Sequence, residues 1–436
     1  MKRSHLLSWR LAAFVGCFGL IVGRALGLLL APRLWAEEGT RYFTYAYYFA
    51  NSPAWYRGFV NIQRGYFALW PNVSTTIAAN FVAIEQVPLV TTVLALSVQL
   101  SVFAIMLWGT STLWSTPGRK LGGVLLILFA PLSGEVWLNT INSQFIFALI
   151  TFLILHTKPA ISRSAIWAYR GGLGLAGLTG VAACVLTPLF LIKALAEHTR
   201  ERVVQMSILT GCACLHMFIL LQSAAEPGAS VATRWTPLEW QTLVAIMWTQ
   251  SLGLIVVGLE HTRGFFTVIT AVRTLDPIRF TLLCSAILGV ELFFLLLLRA
   301  SMRLQRHEQL TLIGSYLSLM ILSIFGSLNP DKFELVYPGV GQRYFYAPNA
   351  ILLLVMLAHL PTPLALHKHK LHWPSLLLTA LLTVALGWGV WQYQTTLLVN
   401  SGPNWREQVQ MWRVDSMHQI EIWPAGWKIQ LVRAGS

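Results

Sequence analysis

Acidic residues are scarce in this chain: 17 Asp and Glu stand against 31 Lys and Arg, in 436 residues that are 56% hydrophobic and only 11% charged. A soluble chain of this length would need more polar surface, so that class is excluded. Nucleotide-binding signatures are missing too. There is no P-loop and no G-x-G-x-x-G after a strand, which argues against direct use of a nucleotide. No internal repeat and no soluble domain is visible. A long basic block is also lacking. The net charge of +14 is spread over short loops, as membrane orientation requires, and not gathered as nucleic-acid binding would require. The five cysteines, Cys17, Cys184, Cys212, Cys214 and Cys284, all fall in apolar stretches and read as small packing residues, not as a disulfide framework. Cys212, Cys214 and His216 resemble a metal cluster but have no second pair of ligands, so packing is the expected role.

What the chain does have is a series of apolar runs and a mean hydropathy of +0.61. They predict an all-α polytopic membrane protein. Candidate spans lie at about 11–31, 88–109, 121–133, 144–156, 165–179, 181–197, 203–223, 280–299, 309–326, 347–361 and 374–394. Several are short, and those flanking Gly134–Ser143 and Gly180 read as hairpins that cross only partly. The segment 240–258 is either one more crossing or an interfacial helix. The N-terminus resembles a signal peptide, but the apolar stretch runs on past Arg24 with no clear cleavage site, so an uncleaved first helix is expected. Basic residues recur at alternate loops: Lys2/Arg3/Arg10, Arg119/Lys120, Lys158/Arg163/Arg170, Lys193/Arg200/Arg202, Arg299/Arg303/Arg306 and Lys368/Lys370. This pattern predicts an N-in, C-out arrangement with about eleven crossings. Residues 1–394 then form the membrane domain, with a long first outer loop at 32–87 and an outer segment at 224–279. Residues 395–436 form a Trp-rich outer tail.

Most acidic, Trp and Gly/Pro-turn residues fall on the outer side, which points to chemistry or recognition there. The sequence Trp35-Ala36-Glu37-Glu38-Gly39 sets two carboxylates just past the first apolar run, where they could bind a cation or accept a proton. An aromatic stretch begins at Arg41, and Gly65-Tyr66 with Pro71 opens another helix. The second outer tip carries Glu135, Trp137, Asn139, Asn142 and Gln144; its amides either satisfy loose backbone groups or hydrogen-bond a polyol. Gly339, Gly341, Arg343, Tyr344 and Phe345 precede a late span, and an Arg there suits phosphate because guanidinium matches its oxygens. Arg24 lies within an apolar run, where a charge must face protein, water or an anion. His367, His369 and His372 read as ordinary basic surface beside two lysines. Asn72-Val-Ser is a formal glycosylation triplet of no weight. In the tail, Trp405 and Trp412 are spaced to share a helix face, and Trp423-Pro424-Ala425-Gly426 reads as a turn.

The order of these features resembles bacterial inner-membrane proteins of the glycosyltransferase C (GT-C) superfamily. The resemblance rests on an N-in first helix, W-x-E-[DE]-G at Trp35–Gly39, G-Y-x-x-x-x-P at Gly65–Pro71, the amide-rich tip, R-Y-F at Arg343–Phe345 and W-P-x-G-W at Trp423–Trp427. It implies a membrane glycosyltransferase that moves a sugar from a polyprenyl-phosphate carrier to a glycan or lipid acceptor at the periplasmic face. In that family a first-loop carboxylate is general base, or holds a divalent cation (Mg2+ or Mn2+) in some branches; the matching positions are Glu37 and Glu38. The familiar pair often contains Asp, and here both are Glu. Donor phosphate falls to Arg343, Arg24 and Arg41. Sugar or acceptor contacts fall to Trp35, Tyr66, Glu135, Asn139, Asn142, Gln144 and Tyr344. The expected partners are the lipid-linked sugar, the acceptor and the bilayer, with no nucleic acid. A transporter or flippase of lipid-linked glycan, and a surface-polysaccharide polymerase or ligase, are the competing readings.

Overall fold

A computed structural model describes residues 2–63, 65–224, 237–300, 304–327, 331–360, 373–395 and 402–431. The histidine tract at 367–372 lies outside them. The chain is helical almost throughout, with two short hairpins as its only paired strands among the described residues. The helices are α1 (Lys2–Arg24), α2 (Leu26–Leu30), α3 (Thr44–Phe49), α4 (Leu69–Phe81), α5 (Val87–Trp108), α6 (Pro117–Leu128), α7 (Ser143–His156), α8 (Arg163–Leu178), α9 (Thr187–Glu197), α10 (Arg200–Ala224), α11 (Trp240–Met247), α12 (Gly253–Leu275), α13 (Pro277–Ala300), α14 (Arg306–Phe325), α15 (Gln342–His359), α16 (Trp373–Thr395) and α17 (Trp405–Val414).

Each expected apolar run has become helix, because an apolar backbone segment must satisfy its own N–H and C=O groups. Length separates them. Six helical runs among the described residues are long and apolar enough to cross a membrane: Ile84–Trp108, Arg200–Ala224, Trp240–Leu275, Pro277–Ala300, Arg306–Phe325 and Trp373–Tyr393. This is a multi-pass helical membrane architecture with fewer evident full crossings than the eleven expected. The helices α6, α7 and α8 have 12, 14 and 16 residues and reach roughly 18–24 Å, short of the ~30 Å apolar slab. The run Trp240–Leu275 falls within the segment read from the sequence as outer. It passes through a π-helical turn at Trp248–Leu252 and breaks at Gly258, whose φ of +80° places its Cα against the Trp388 ring.

The core sits on α7 and α15. In α7 every residue but Gln144 is buried, and α15 is buried from Phe345 through His359. Helices apolar on all sides belong inside a bundle; α6, α7, α14 and α16 pack around α15. One end of the bundle carries the loop joining α6 to α7, the start of α15 and the long segment between α2 and α5. There Glu38–Phe43 winds as a π-helix into α3, and β1 (Ile62–Gln63) pairs with β2 (Tyr66–Phe67). Residues 402–431 close over this segment. In them α17 precedes a hairpin of β3 (Ile420–Glu421) and β4 (Lys428–Ile429), with 423–426 as the expected turn. Trp405 and Trp412 both face inward, into a separate apolar cluster with Leu34, Phe43, Ile422 and Ile429.

Candidate functional site

The cleft at this end has about 1030 Å³ of non-atom space and is walled by the first long loop, the start of α7, residues 181–182, the end of α14 and the start of α15. Its polar lining comprises Glu37, Arg41, Gln63, Tyr66, Asn142, Gln144, Ser323 and Arg343. Its apolar lining includes Phe145, Ala148, Leu319, Leu322 and Ala347. Seven of the residues expected from the sequence therefore meet in one cavity: Glu37, Arg41, Tyr66, Asn142, Gln144, Arg343 and Tyr344.

Local sequence explains the placement. Gly341, with φ of +64°, turns the chain into α15 in a conformation disfavoured for other residues. Arg343 then projects from the first turn, its guanidinium 5.1 Å from the Tyr344 ring centroid, while Tyr344 stands edge-on to Phe145 at 5.5 Å. Pro348, inside the same helix, has no N–H for the carbonyl four residues back. That carbonyl belongs to Tyr344, and Ser323 Oγ lies 2.6 Å from it. Proline and serine thus open and re-satisfy the helix at the cleft edge. Glu135 does not line the cleft but reaches Arg343 Nη1 with Oε2 at 3.5 Å. Burial pushes its carboxyl pKa up, Arg343 pulls it down, and nearby Glu37 pushes it up again; the net direction is upward.

Four expected site residues lie elsewhere, each for a visible reason. Glu38 is 1% exposed. Its oxygens accept from the Thr140 N–H at 2.8 Å, from the Thr140 hydroxyl and from the Trp35 N–H at 3.2 Å. It clamps the first loop to the α6–α7 loop and is turned away from the cleft. Burial raises its pKa, and the hydrogen bonds only partly oppose this. Trp35 is buried against Trp423, ring centroids 6.2 Å apart. Asn139 spends its amide on the Glu135 and Trp137 carbonyls at 2.8 and 3.2 Å, so it braces the tip and does not face a sugar. Arg24 ends α1, donates to Ser133 Oγ at 3.1 Å and stacks over the Tyr393 ring at 4.1 Å, joining α1 to α16 away from the cleft. Asn72 is likewise internal, its amide donating to the Asn61 carbonyl at 2.8 Å.

Sequence reasoning missed Gln63, Ser323, Leu319 and Pro348. Gln63 lies beside the Gly65-Tyr66 turn that was noticed, and a hairpin register would have found it. Ser323 and Leu319 sit in a largely apolar run and give no local signal, and Pro348, beside Asn349, marks a helix irregularity without pointing to a cleft. For a divalent cation the donor set fits poorly: Glu37 is the one acidic side chain on the cleft wall, and among the described residues no three His, Cys, Asp or Glu side chains gather as a metal site. His216 instead contacts the Gly177 carbonyl at 2.9 Å, and Cys212 packs on Gly177.

The lining is that of an amphiphile site: one carboxylate, two guanidinium groups and amides together with hydrocarbon side chains. Compared with protein-family models, curated proteins and solved structures, the chain matches none.

Proposed function

We propose that this protein is a GT-C-like glycosyltransferase of the bacterial inner membrane, acting at the periplasmic face on a polyprenyl-phosphate sugar. The observation that carries the reading is that Glu37 and Arg343 line one cleft together with apolar side chains of α7, α14 and α15. A lipid-phosphate sugar offers a matching sequence of groups: hydrocarbon, phosphate, then polyol.

In this mechanism Glu37 takes the proton of an acceptor hydroxyl as its oxygen attacks the anomeric carbon. The bond from that carbon to the phosphate oxygen breaks, and the electron pair leaves with the lipid phosphate. Arg343, with Arg41 at the rim, stabilises the charge that develops there. Gln144 and Tyr66 would hold hydroxyl groups, while the Asn142 amide, donating to the Glu135 carbonyl at 2.7 Å, and the Gln63 amide, donating to Asn61 Oδ1 at 2.7 Å, leave their carbonyl oxygens as acceptors. The phosphate is already a leaving group, so no nucleotide is consumed. No step requires a metal ion. The N-in, C-out topology with about eleven crossings belongs to this proposal, with the short helices α6 to α9 counted as passes completed by their flanking loops and the run Trp240–Leu275, broken at Gly258, as entering and leaving on the outer side. A reporter fused at Ser436 is expected to read periplasmic; a cytoplasmic reading would place the cleft on the wrong side.

The direct test is transfer from synthetic polyprenyl-phosphate sugars to glycan or lipid acceptors by the purified protein in nanodiscs. Release of polyprenyl phosphate that needs both acceptor and Glu37 supports the reading, and binding without release overturns it. One observation favours a transporter instead: the apolar run Trp240–Leu275 is broken at Gly258, and broken helices recur where one bundle rocks against another. Movement of an intact lipid-linked glycan across proteoliposomes, without bond cleavage, would select that alternative.

A further inference from the structure

The two adjacent carboxylates point in different directions, and the backbone between them explains how. Ala36 has φ of +36°, a left-handed conformation disfavoured for a non-glycine residue. Something must hold it there. Residues 34–36 pair with Trp423 as a short parallel bridge: the Ala36 N–H donates to the Trp423 carbonyl at 2.5 Å, and the Trp423 N–H donates to the Leu34 carbonyl at 3.2 Å. Three residues on, Gly39 meets the same hairpin. A Cβ at Gly39 would stand 2.6 Å from Ile422 Cδ1 and 3.4 Å from Leu34 Cβ. Glu37 is thus bracketed on both sides by one element, while Glu38 is fixed from the opposite direction by Thr140.

We infer that the C-terminal hairpin is the positioning element of the cleft: Trp423 and Ile422 hold residues 34–39 in the register that aims Glu37 at the cavity. Ile422 and Trp423 do not line the cavity and act through Glu37. The inference rests on Glu37 being the group that works in the cleft, but its geometry is testable apart from any reaction.

The test uses the full-length chain in nanodiscs, with the five native cysteines replaced by serine and Glu37→Cys as reporter. A polar maleimide is the probe. Gly39→Ala forces a methyl onto Ile422 and is expected to change the labelling rate at position 37 by at least about fivefold. Adding Ile422→Ala to Gly39→Ala removes the clash and should bring the rate back within about twofold of the reference. Ile422→Ala alone, the gentler change, is expected to shift the rate by about twofold. Size-exclusion profiles show which variants fold. An unchanged rate in Gly39→Ala, or a folded double variant that does not recover, overturns the inference. If Gly39→Ala fails to fold, Ile422→Ala decides alone, and an unchanged rate there overturns it.

A second readout, with Glu37 retained, is the transfer reaction. Gly39→Ala should lower kcat by at least tenfold with KM for the polyprenyl-phosphate sugar within threefold, and Ile422→Ala in the pair should restore most of it. Labelling effects without any transfer activity in the wild-type chain would leave the positioning intact and remove the enzymatic reading instead.

Discussion

Where α5, α7 and α15 end, basic side chains are taken up by backbone carbonyls; where α7 and α15 begin, they line a cavity. At the first end Lys120 Nζ donates to the Leu107 and Gly109 carbonyls at 2.8 and 2.6 Å. Arg119 reaches the Leu113 and Leu360 carbonyls. Arg202 donates to the Ile154 and Thr157 carbonyls at 3.2 and 2.7 Å and to Glu197 at 2.8 Å. These cations cap helix C-termini, where orphan carbonyls and the negative end of the helix dipole both welcome positive charge. At the second end Arg343 has one carboxylate neighbour at 3.5 Å and a cavity beside it. The lesson is that a Lys/Arg excess has two uses in this chain, and only partner geometry tells them apart.

The comparison breaks most sharply at Glu37. Glu37→Gln keeps size and removes basicity, so transfer should fall by roughly 10²–10⁴-fold with donor binding kept. Near-normal turnover in this variant would mean that the cleft binds without catalysing. Next in size is the capping end. Arg202→Ala leaves the Ile154 and Thr157 carbonyls without their donor and Glu197 with Lys193 as its remaining cation at 3.2 Å, and it should cost about 2–3 kcal/mol of stability, read as a lower melting temperature in detergent. Turnover per folded molecule should not change; if it does, the two ends are not separable. At the cleft, Arg343→Ala should weaken donor binding by about tenfold or more. Arg343→Lys should recover only part of that, because a point charge lacks the planar fork. Equal affinities for all three chains would reduce Arg343 to an anchor.

The smallest effect concerns Glu38. Its folded pKa is raised above the usual 4.5 by burial, so the folded state holds the proton more tightly than the unfolded chain. The stability it contributes is complete below the unfolded value and is lost as pH rises through the folded one. The melting temperature should therefore decline on going from about pH 4.5 toward neutrality, and Glu38→Gln should flatten that slope. An unaltered slope would place the titration at another group.

Much of this was legible in the sequence. Hydropathy marked the helices because an apolar run in lipid has little alternative to helix. The loop residues Glu37, Tyr66, Asn142, Gln144 and Arg343 stood out as polar groups beside aromatics and glycines. Which of two neighbouring glutamates faces the cavity was not legible. That depends on a left-handed Ala36 and on a hairpin almost 400 residues away in the chain. Nor could the sequence give the role of Arg24, since Ser133 and Tyr393 reach it only in the fold. The cavity wall from α14 was silent because Leu319 and Leu322 read as ordinary lipid-facing residues.

The burial of α15 on every side has a consequence for how the protein is made. An apolar helix can enter lipid alone, but α15 reaches its final place only by packing against its neighbours. The ribosome delivers α6, α7 and α14 before it and α16 after it; the first three leave a channel that α15 enters and α16 closes. When α15 slides into that channel it brings Arg343, Tyr344, Ala347 and Pro348 with it. The cleft is therefore absent from every shorter nascent chain. Glu37 emerges early, but it gains a site to serve only when the central helix arrives.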